Sequence, residues 1–586
     1  MLWGPAVVRS SRSFLTIGGT FGILATTFAT LHFGQLTLTL DLIVKLLISF
    51  AYTHGFTKIR AKFRRPKTHT ETGSEDEKTA ALATWESEEG NVARLSSVDD
   101  NTEHRLVQSS FTQSQQITTV VVGWREDEDL YRRCLQSLAA DPRYGPVVAG
   151  IDGDTKEDEE MVNVFLDMFP TGVVIRLKEQ LSKSLDRYML STNSSDIENE
   201  ANNNLIMDHL STFIYGHLEE AIFPQSIKDI QAVCIVQPHQ SKKDILFTSL
   251  SFAAVISEKL NIPYIFSTDS DSIIVPDALT KIIDSLDSNP NTGGVSGHLR
   301  FSHPRPSFLT RMTASHYWFE QEIPKAQGAI FGATECQPGP CAGFRVSVLK
   351  SVLVPWFCQT VFGHRTVVNE DRHLTTRILW AGFAVHYAPG AIVHTDTPNT
   401  FDGWVKQQVR WSRGTMIETL WYPWMINQLS PWHVYSILKA RIVPLLTFWY
   451  ITSFALGFGG VIPKFNSMIL LDTFCSIALQ VIYLVQVSQD QATLSDVMWL
   501  VPSLVWYFLM SPGIVVWSLL TLLDDSWGND PRAMNLGEGE KSEAGDAWIG
   551  SEVVMRVLKM KHVAFQSLWM AIVLSAAARA SLVWSD

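Results

Sequence analysis

The sequence predicts an α/β domain that is built on a parallel sheet and joined to a group of membrane-spanning helices. Short apolar runs such as residues 117–124 and 262–268 alternate with helical patterns, which is typical of a parallel sheet with helices on both faces. Long apolar segments lie toward both ends of the chain. The chain has 586 residues, which is long enough for more than one domain. It is 46% hydrophobic and only 18% charged, and this charged fraction is low for a soluble protein.

Charge and cysteine usage narrow the class of protein. A formal net charge of -12 argues against nucleic acid as a partner. The 19 tryptophans are typical of a chain that lies partly at a membrane interface. The six cysteines show neither zinc-ligand spacing nor a disulfide framework, so we expect them to be reduced on the cytosolic side.

Residues 1–67 predict an N-terminal membrane hairpin with a basic cytosolic flank. One span is expected near residues 14–34, which carry no charge. A second, weaker span is expected near residues 36–56, which Asp41 and Lys45 interrupt. No cleavage pattern of a signal peptide is convincing, so the hairpin is expected to be retained.

A basic flank and an acidic linker follow the second span. Lysines and arginines crowd into residues 58–67, and such clusters mark the cytosolic side of a membrane. Residues 68–115 are acidic and rich in Ser, Thr and Gln, which predicts a disordered linker. Residues 116–400 form the α/β domain, with a helical insertion at 177–230. The Asn193 sequon lies in this insertion and would stay unmodified in the cytosol.

A second membrane region follows the α/β domain. Residues 401–437 predict amphipathic helices at the membrane interface. Residues 438–586 hold four further candidate spans, which makes about six in all and returns the C-terminus to the cytosol. Pro512 and Gly513 are expected to break or kink the third of the four. These spans are expected near residues 439–460, 468–487, 497–523 and 562–583.

Asp152 is the first candidate site residue. It follows a buried strand in "AGIDGD", at the edge of a parallel sheet where ligands bind. Because Asp-Gly is also a strong turn signal, an ordinary β-turn is the alternative interpretation.

Asp269 and Asp271 form a D-x-D pair after the apolar run 262–268. If the strand continues to Asp271, both side chains project to the same face. Two carboxylates at such a short distance repel each other, and a bound divalent cation removes this electrostatic repulsion. Mg²⁺ favours one or two protein carboxylates together with substrate phosphates, so the pair predicts a metal that bridges to a diphosphate. A frequent acidic turn is the alternative.

Glu370 and Asp371 begin a predicted helix in "NEDRHLTTRIL". The apolar residues Leu374, Ile378 and Leu379 would share one face of that helix. A carboxylate at its start can act as a general base that takes a proton from a hydroxyl nucleophile. The alternative is that both acids only stabilise the helix N-terminus.

Gln407, Arg410 and Trp411 form a Q-x-x-R-W pattern, and the three would share one face of a helix. A guanidinium neutralises phosphate, and an indole stacks on a sugar or a base. An amphipathic interfacial helix with Trp and Arg at the headgroup level is the alternative, and both interpretations can hold at once.

These four motifs, in this order, resemble the family 2 glycosyltransferases, the processive membrane synthases of polysaccharides. Hyaluronan synthases of the vertebrate and viral type are particularly similar, over roughly residues 115–530 and in the order of the spans. The segments "ECQPGPCAGFR" and "DSWGND" also resemble that family. Chitin and cellulose synthases share the acidic motifs and Q-x-x-R-W.

The resemblance implies a Rossmann-like glycosyltransferase domain of the GT-A type at residues 116–400. It implies that Asp371 is the general base with Glu370 beside it, and that Cys336 serves the acceptor or priming sugar. Asp269 and Asp271 would hold the nucleotide and Mg²⁺ or Mn²⁺. The residues implied to bind the nucleotide sugar are Asp152, Lys242, Lys243, Asp269, Gln407, Arg410, Trp411 and Trp527.

The implied function is processive, inverting synthesis of an extracellular or cell-wall β-linked polysaccharide from a UDP-sugar. The partners would be the UDP-sugar, the growing polymer and the lipid bilayer of the plasma membrane. Hyaluronan synthases usually have two aspartates where this chain has Glu370 and Asp371, a form seen in chitin and cellulose synthases. The resemblance therefore indicates a fungal-type enzyme and leaves open another β-glycan as its polymer. Two alternatives stay open: a non-processive transferase that loads one sugar onto a lipid carrier, and an inactive scaffold or channel subunit.

Overall fold

The computed structural model describes residues 37–55, 116–192, 198–223, 226–301, 306–422, 431–458, 467–487, 494–524 and 560–585. Some predictions fall outside these ranges: the span near 14–34, the basic flank, the acidic linker, the Asn193 sequon and Trp527. All the described residues except His54 and Gly55 lie in one unit, Met1–Thr53 with Phe111–Asp586.

A nine-stranded sheet organises the α/β part of the chain. Strands two to twelve residues long alternate with helices, and a short hairpin of β9 and β10 stands apart from the sheet. In chain order the strands are β1 (Ile117–Gly123), β2 (Tyr144–Asp152), β3 (Val173–Arg176), β4 (Ala232–Gln237), β5 (Tyr264–Asp269), β6 (Ile273–Ile274), β7 (Thr292–Phe301), β8 (Ala342–Arg345), β9 (Thr360–Val361), β10 (His364–Arg365) and β11 (Ala384–Thr395).

The sheet is mixed, whereas the sequence predicts a parallel one. Its order is β3-β4-β2-β1-β5-β8-β7-β11-β6. The five strands from β3 to β5 in this order are parallel neighbours, as predicted. However, β8 runs antiparallel between β5 and β7, and β6 runs antiparallel to β11. Strand β8 is reversed because it starts at Ala342 opposite Ser267, near the carboxyl end of β5, and runs back from there.

The described helices cover the sheet and continue into the apolar regions of the chain. They are α1 (Thr37–Phe50), α2 (Glu128–Ala139), α3 (Glu159–Met168), α4 (Leu181–Thr192), α5 (Glu200–Ile222), α6 (Lys242–Leu260), α7 (Ala278–Asp287), α8 (Phe308–Ile330), α9 (Val346–Phe357), α10 (Glu370–Trp380), α11 (Phe401–Trp421), α12 (Pro431–Leu456), α13 (Ser467–Val487), α14 (Leu494–Leu520) and α15 (Lys561–Ser585). A π-helical turn, Ala51–Gly55, extends α1.

Helices pack on both faces of the sheet, as predicted. Val120 and Val148 lie in one hydrophobic core with side chains of α6 and α9. Val121 and Val147 lie in a second core with side chains of α2, α3 and α7. Neighbouring residues of one strand point to opposite faces, so the near-continuous apolar runs supply both cores.

Three helices are long and apolar enough to cross a membrane: Val434–Leu456, Leu494–Leu520 and Lys561–Val583. They coincide with three of the predicted C-terminal spans. The predicted span at 468–487 falls on α13, whose apolar part, Leu471–Val485, is shorter. Within the described ranges, candidates of spanning length are therefore fewer than the predicted six.

Helix α14 continues through Pro512 and Gly513, so of the predicted break or kink the break is absent. Gly513 lies against α15, where an added Cβ would be 2.7 Å from Cδ1 of Trp569. The Trp569 indole N–H donates a hydrogen bond to the carbonyl of Leu509 at 2.7 Å. The glycine therefore allows close packing of two apolar helices, as small residues commonly do.

The end of α1 is bonded to the α/β domain. The Tyr52 hydroxyl donates to the carbonyl of Tyr387 at 2.7 Å, and the Thr53 hydroxyl donates to Glu322 at 2.9 Å. The Tyr387 hydroxyl also donates to Glu322, at 2.7 Å. Glu322 and Tyr387 are buried, so these contacts fix the N-terminal helix on α8 and β11.

Candidate active site

The carboxyl ends of the parallel strands open into a cavity of about 1240 Å³. Gly123, Asp152 and Asp269, which are the last residues of β1, β2 and β5, line it. Ligands of open α/β sheets bind at this edge.

The cavity brings together most of the residues predicted from the sequence. Lys243 does not line it, and Trp527 lies outside the described residues. The predicted residues that line it are Asp152, Lys242, Asp269, Asp271, Cys336, Glu370, Asp371, Gln407, Arg410 and Trp411.

Asp152 is buried, and its carboxylate is already bonded. One oxygen lies 2.9 Å from Nδ1 of His239, and the other accepts the backbone N–H of Gln240 at 3.1 Å. Burial raises the pKa of the Asp152 carboxyl, and the contact with His239 opposes this effect. The His239 ring stacks on Trp124, with ring centroids 4.1 Å apart. The end of β2 therefore lies beside an aromatic surface that a nucleobase or sugar can use.

Strand β5 ends at Asp269, whereas the sequence predicts a strand that continues to Asp271. Asp271 lies in the following turn, where its Oδ1 accepts the Ser272 hydroxyl at 3.1 Å. A turn, rather than strand alternation, brings both carboxylates to the cavity. Burial raises the pKa of the Asp269 carboxyl, and the positive charge of Lys242 lowers it.

Ser270, the middle residue of the D-x-D pair, fixes this turn. Its hydroxyl donates to Oε2 of Glu126 at 2.9 Å, and its backbone N–H donates to the carbonyl of Val122 at 3.1 Å. Gly123 leaves the space, because a Cβ there would lie 2.3 Å from Oγ of Ser270. Glu126 is not among the residues predicted from the sequence, although it follows the carboxyl end of β1 and so meets the same criterion as Asp152.

The side chains of the predicted lysine pair, Lys242 and Lys243, point in different directions from α6. Lys242, the first residue of α6, reaches the cavity. The Lys243 ammonium group instead donates to the carbonyl of Thr366 at 2.8 Å and lies 5.6 Å from the ring centroid of Trp356. Burial lowers the pKa of Lys243 to about 7. Successive side chains of a helix diverge by about 100°, so the two lysines do not face one ligand.

Asp371 lies in the first turn of α10, as predicted. Its Oδ2 accepts the backbone N–H of Gly339 at 3.3 Å. Burial, and then the negative charge of Glu370, raises the pKa of the Asp371 carboxyl, whereas Lys242 lowers it. A carboxylate with a raised pKa is a better general base near neutral pH.

Cys336 lies in the loop between α8 and β8 and lines the cavity near Asp371. Burial, and then the negative charge of Asp371, raises the pKa of its thiol. A protonated thiol is a poor nucleophile, so this position suits contact with a bound molecule rather than covalent chemistry.

The Q-x-x-R-W residues face the cavity from α11, as the helical spacing predicts. The Trp411 ring meets Tyr317 edge to face, with centroids 5.4 Å apart and planes at 88°. Oε1 of Gln407 is buried and has no hydrogen-bond partner within the described part of the chain. Such an atom needs a partner, and a polar ligand in the cavity can supply one.

The cavity extends from the α/β domain to the apolar helices. Lys45 of α1, Arg441 of α12 and Gln480 of α13 line this end. Oε2 of Glu335 lies 2.9 Å from Arg372 and 3.6 Å from Arg441, so one carboxylate bridges α10 and α12. Arg441 is not among the predicted residues, although a charged residue within an apolar helix is a recognisable signal of function.

The D-x-D carboxylates fit a divalent cation that binds together with a ligand. Among the described residues there is no group of three or more His, Cys, Asp and Glu side chains that could hold a metal ion. Asp269 and Asp271 nevertheless supply two carboxylates to one cavity. Mg²⁺ and Mn²⁺ accept such ligands, and Mg²⁺ commonly completes its shell with substrate phosphates and water.

Residues 264–520 match the glycosyl transferase family group 2. The matched region includes the D-x-D pair, Glu370, Asp371 and the Q-x-x-R-W residues. Residues 264–520 are therefore similar to the domain of family 2 glycosyltransferases.

The chain is also similar to hyaluronan synthases. It is 25% identical over 329 residues to hyaluronan synthase 3 of Xenopus laevis, which is 56% of this chain and 54% of the relative. It is 26% identical over 350 residues to hyaluronan synthase 2 of Gallus gallus, which is 58% of each chain. The chain thus spans little more than half the length of these relatives.

One solved structure resembles the chain at low similarity. It is a mannosyltransferase of Pyrobaculum calidifontis in complex with GDP-Man and Mn²⁺. The match has a TM-score of 0.37 at 12% identity and covers 82% of this chain and 99% of the mannosyltransferase.

Proposed function

We propose that this protein is a processive, inverting glycosyltransferase that polymerises a β-linked extracellular or cell-wall polysaccharide from a UDP-sugar. The catalytic domain faces the cytosol, and the product crosses the plasma membrane through the protein. The donor, the growing polymer and the lipid bilayer are its partners. The similarity to hyaluronan synthases supports the chemistry, although it reaches only part of their length.

One observation carries the proposal. A single cavity is lined by the acidic motifs at one end and by residues of apolar helices at the other. Asp269 is the last residue of β5 and Lys242 is the first residue of α6, whereas Arg441 and Gln480 belong to α12 and α13. A polymer that grows beside Asp371 therefore has a continuous path toward the helices that we assign to the membrane. An inactive scaffold does not require a cavity that is continuous between these two regions.

The strand ends bind the donor in this proposal. Trp124 and His239 offer stacking surfaces beside Asp152, which suits a nucleobase. Lys242 and Arg410 supply positive charge to the diphosphate. A Mg²⁺ or Mn²⁺ ion held by Asp269 and Asp271 would neutralise the negative charge on the departing UDP.

Asp371 is the general base in the proposal. It removes the proton from the acceptor hydroxyl, whose oxygen then attacks the anomeric carbon from the side opposite to UDP. The bond from the anomeric carbon to the diphosphate breaks as the new glycosidic bond forms, so the configuration inverts. Cys336 and Trp411 line the same cavity as Asp371, and we assign them to contacts with the acceptor sugar.

The proposal is tested with the purified full chain, single UDP-sugars and pairs of UDP-sugars. Release of UDP identifies the donor, and the length of the product on a gel separates a polymer synthase from a transferase that adds one sugar to a lipid. Asp371→Asn should abolish UDP release while UDP still binds, because the amide cannot accept the proton.

Each outcome decides between the alternatives. Long polymer that forms with the wild type but not with Asp371→Asn supports the proposal. A single added sugar on a lipid supports the non-processive transferase, and no UDP release from any donor supports an inactive scaffold. An Asp371→Asn variant that still makes polymer contradicts the assignment of the base.

A further inference from the structure

Two helices that bring different parts of the proposed chemistry to the cavity are joined by a buried pair of side chains. Helix α10 carries Asp371, and α11 carries the Q-x-x-R-W residues. Nδ1 of His373 on α10 lies 2.9 Å from Oε1 of Glu418 on α11. The side chains are 1% and 10% exposed, and neither lines the cavity.

The surrounding contacts determine which nitrogen of His373 carries the proton. Nε of Arg377 donates to Nε2 of His373 at 3.2 Å, so Nε2 is the acceptor and Nδ1 is the donor to Glu418. Burial lowers the pKa of His373 to about 4, which keeps the ring neutral. Arg377 is itself held by Glu198, at 2.6 Å. The histidine therefore has one defined tautomer and orientation.

A second contact joins the same two helices closer to the cavity. Nδ2 of Asn369, the residue before α10, donates to the carbonyl of Trp411 at 3.0 Å. Gly414 makes room for Asn369, since an added Cβ would lie 2.1 Å from that Nδ2. The backbone that carries Trp411 is thus held directly against the start of the helix that carries Asp371.

We propose that His373 and Glu418 are positioning residues that keep the general base Asp371 in register with the Q-x-x-R-W face. The inference rests on the proposed function, since it takes Asp371 as the general base and the Q-x-x-R-W residues as ligand-binding residues. The pair acts through other residues because it does not touch the cavity. A shift of ~1 Å between reacting groups can lower a rate about 100-fold, so a bond remote from the chemistry can control turnover.

A matched pair of variants tests this role. In His373→Asn the amide nitrogen takes the place of Nδ1 and keeps the bond to Glu418, whereas His373→Gln moves the amide toward the position of Nε2. We expect His373→Gln to lower kcat about 100-fold and His373→Asn to lower it less than about tenfold. UDP affinity, measured by titration calorimetry, should stay within about twofold of the wild type in both, because the donor contacts are untouched.

Glu418 supplies the reciprocal test. Glu418→Gln keeps an acceptor oxygen for Nδ1–H and should retain most of kcat. Glu418→Leu should lower kcat at least as much as His373→Gln, because Oε1 of Glu418 also accepts the side-chain N–H of Gln359 at 3.1 Å. The double variant His373→Gln/Glu418→Leu should be no slower than Glu418→Leu alone, because the bond between His373 and Glu418 is already lost in that single variant. Thermal unfolding of all variants shows whether a loss of kcat follows a loss of folded protein.

The outcomes separate this inference from the proposed function. An active wild type whose His373→Asn and His373→Gln variants have equal kcat, or lose activity only in proportion to folded protein, overturns the positioning role alone. A wild type that releases no UDP from any UDP-sugar overturns the proposed function and the positioning role together.

Discussion

The ammonium nitrogen of Lys242 lies 2.7 Å from Oδ1 of Asp269. The same nitrogen lies 3.3 Å from Oε1 of Glu370, so one cation serves two of the acidic motifs. An added Cβ on Gly339 would lie 3.2 Å from this nitrogen, so the loop that carries Cys336 passes directly over the pair. The end of β5, the start of α10 and the loop before β8 therefore meet at one positive charge.

Replacing Lys242 should weaken donor binding, whereas replacing its neighbour should not. Lys242→Met removes positive charge from the cavity, and we expect UDP to bind at least about tenfold more weakly, a loss of about 1.4 kcal/mol. Lys243→Met loses a bond to the carbonyl of Thr366 outside the cavity, so UDP affinity should be unchanged. Calorimetric titration with UDP measures both variants. Equal losses of affinity would show that the pair acts as a unit on the nucleotide.

Ser270 should matter for the stability of the D-x-D turn. Ser270→Ala leaves the buried Glu126 carboxylate without its 2.9 Å hydrogen bond, and we expect unfolding to become easier by about 1–3 kcal/mol. Ser285→Ala is the control, since this buried hydroxyl has no hydrogen-bond partner within the described ranges. Denaturant unfolding of both variants gives the comparison. Similar midpoints would indicate that Ser270 contributes no more than a space-filling residue.

The activity should depend on pH through the Asp371 carboxyl. Its pKa is raised, and only the deprotonated form can accept a proton, so kcat/KM should rise with pH through a value above the ordinary aspartate pKa of about 3.9. Lys242→Met removes a charge that lowers this pKa, so the rise should move to higher pH in that variant. Initial rates of UDP release between acidic and neutral pH measure the shift. A rise that stays in place, or moves to lower pH, would exclude Asp371 as the titrating base.

Removal of divalent metal should stop turnover reversibly. With only two carboxylates from the D-x-D pair, the cation is expected to bind with the diphosphate, so EDTA should abolish UDP release and added Mg²⁺ or Mn²⁺ should restore it. Asp271→Asn should raise the metal concentration that gives half-maximal rate. Binding of uridine, which has no phosphate, is the control and should not respond to metal. An unchanged metal requirement in Asp271→Asn would remove this residue from the metal site.

The motifs could be predicted from the sequence because each is local. The helix that begins at Glu370 and the shared face of Gln407, Arg410 and Trp411 follow from a spacing of 3.6 residues per turn. The resemblance to a known family then assigned roles to these residues. Such patterns need no knowledge of what packs against them.

Features that depend on distant packing could not be predicted in the same way. The direction of Lys243 is set by the carbonyl of Thr366, which lies on another segment, and the reversal of β8 is set by the position of its preceding loop. The end of β5 at Asp269 depends on the bond between Ser270 and Glu126, since that bond turns the chain. No pattern within residues 264–279 contains this information.

The bonds from Tyr52 and Thr53 to the α/β domain restrict where this protein can be truncated without exposing buried surface. A shortened protein that starts at residue 116 would lose the hydroxyl that donates to Glu322 from α1, and it would expose the surface around Tyr387 to water. The excised catalytic part is therefore expected to aggregate, so biochemical work on this protein should keep the N-terminal helix and a detergent or lipid environment.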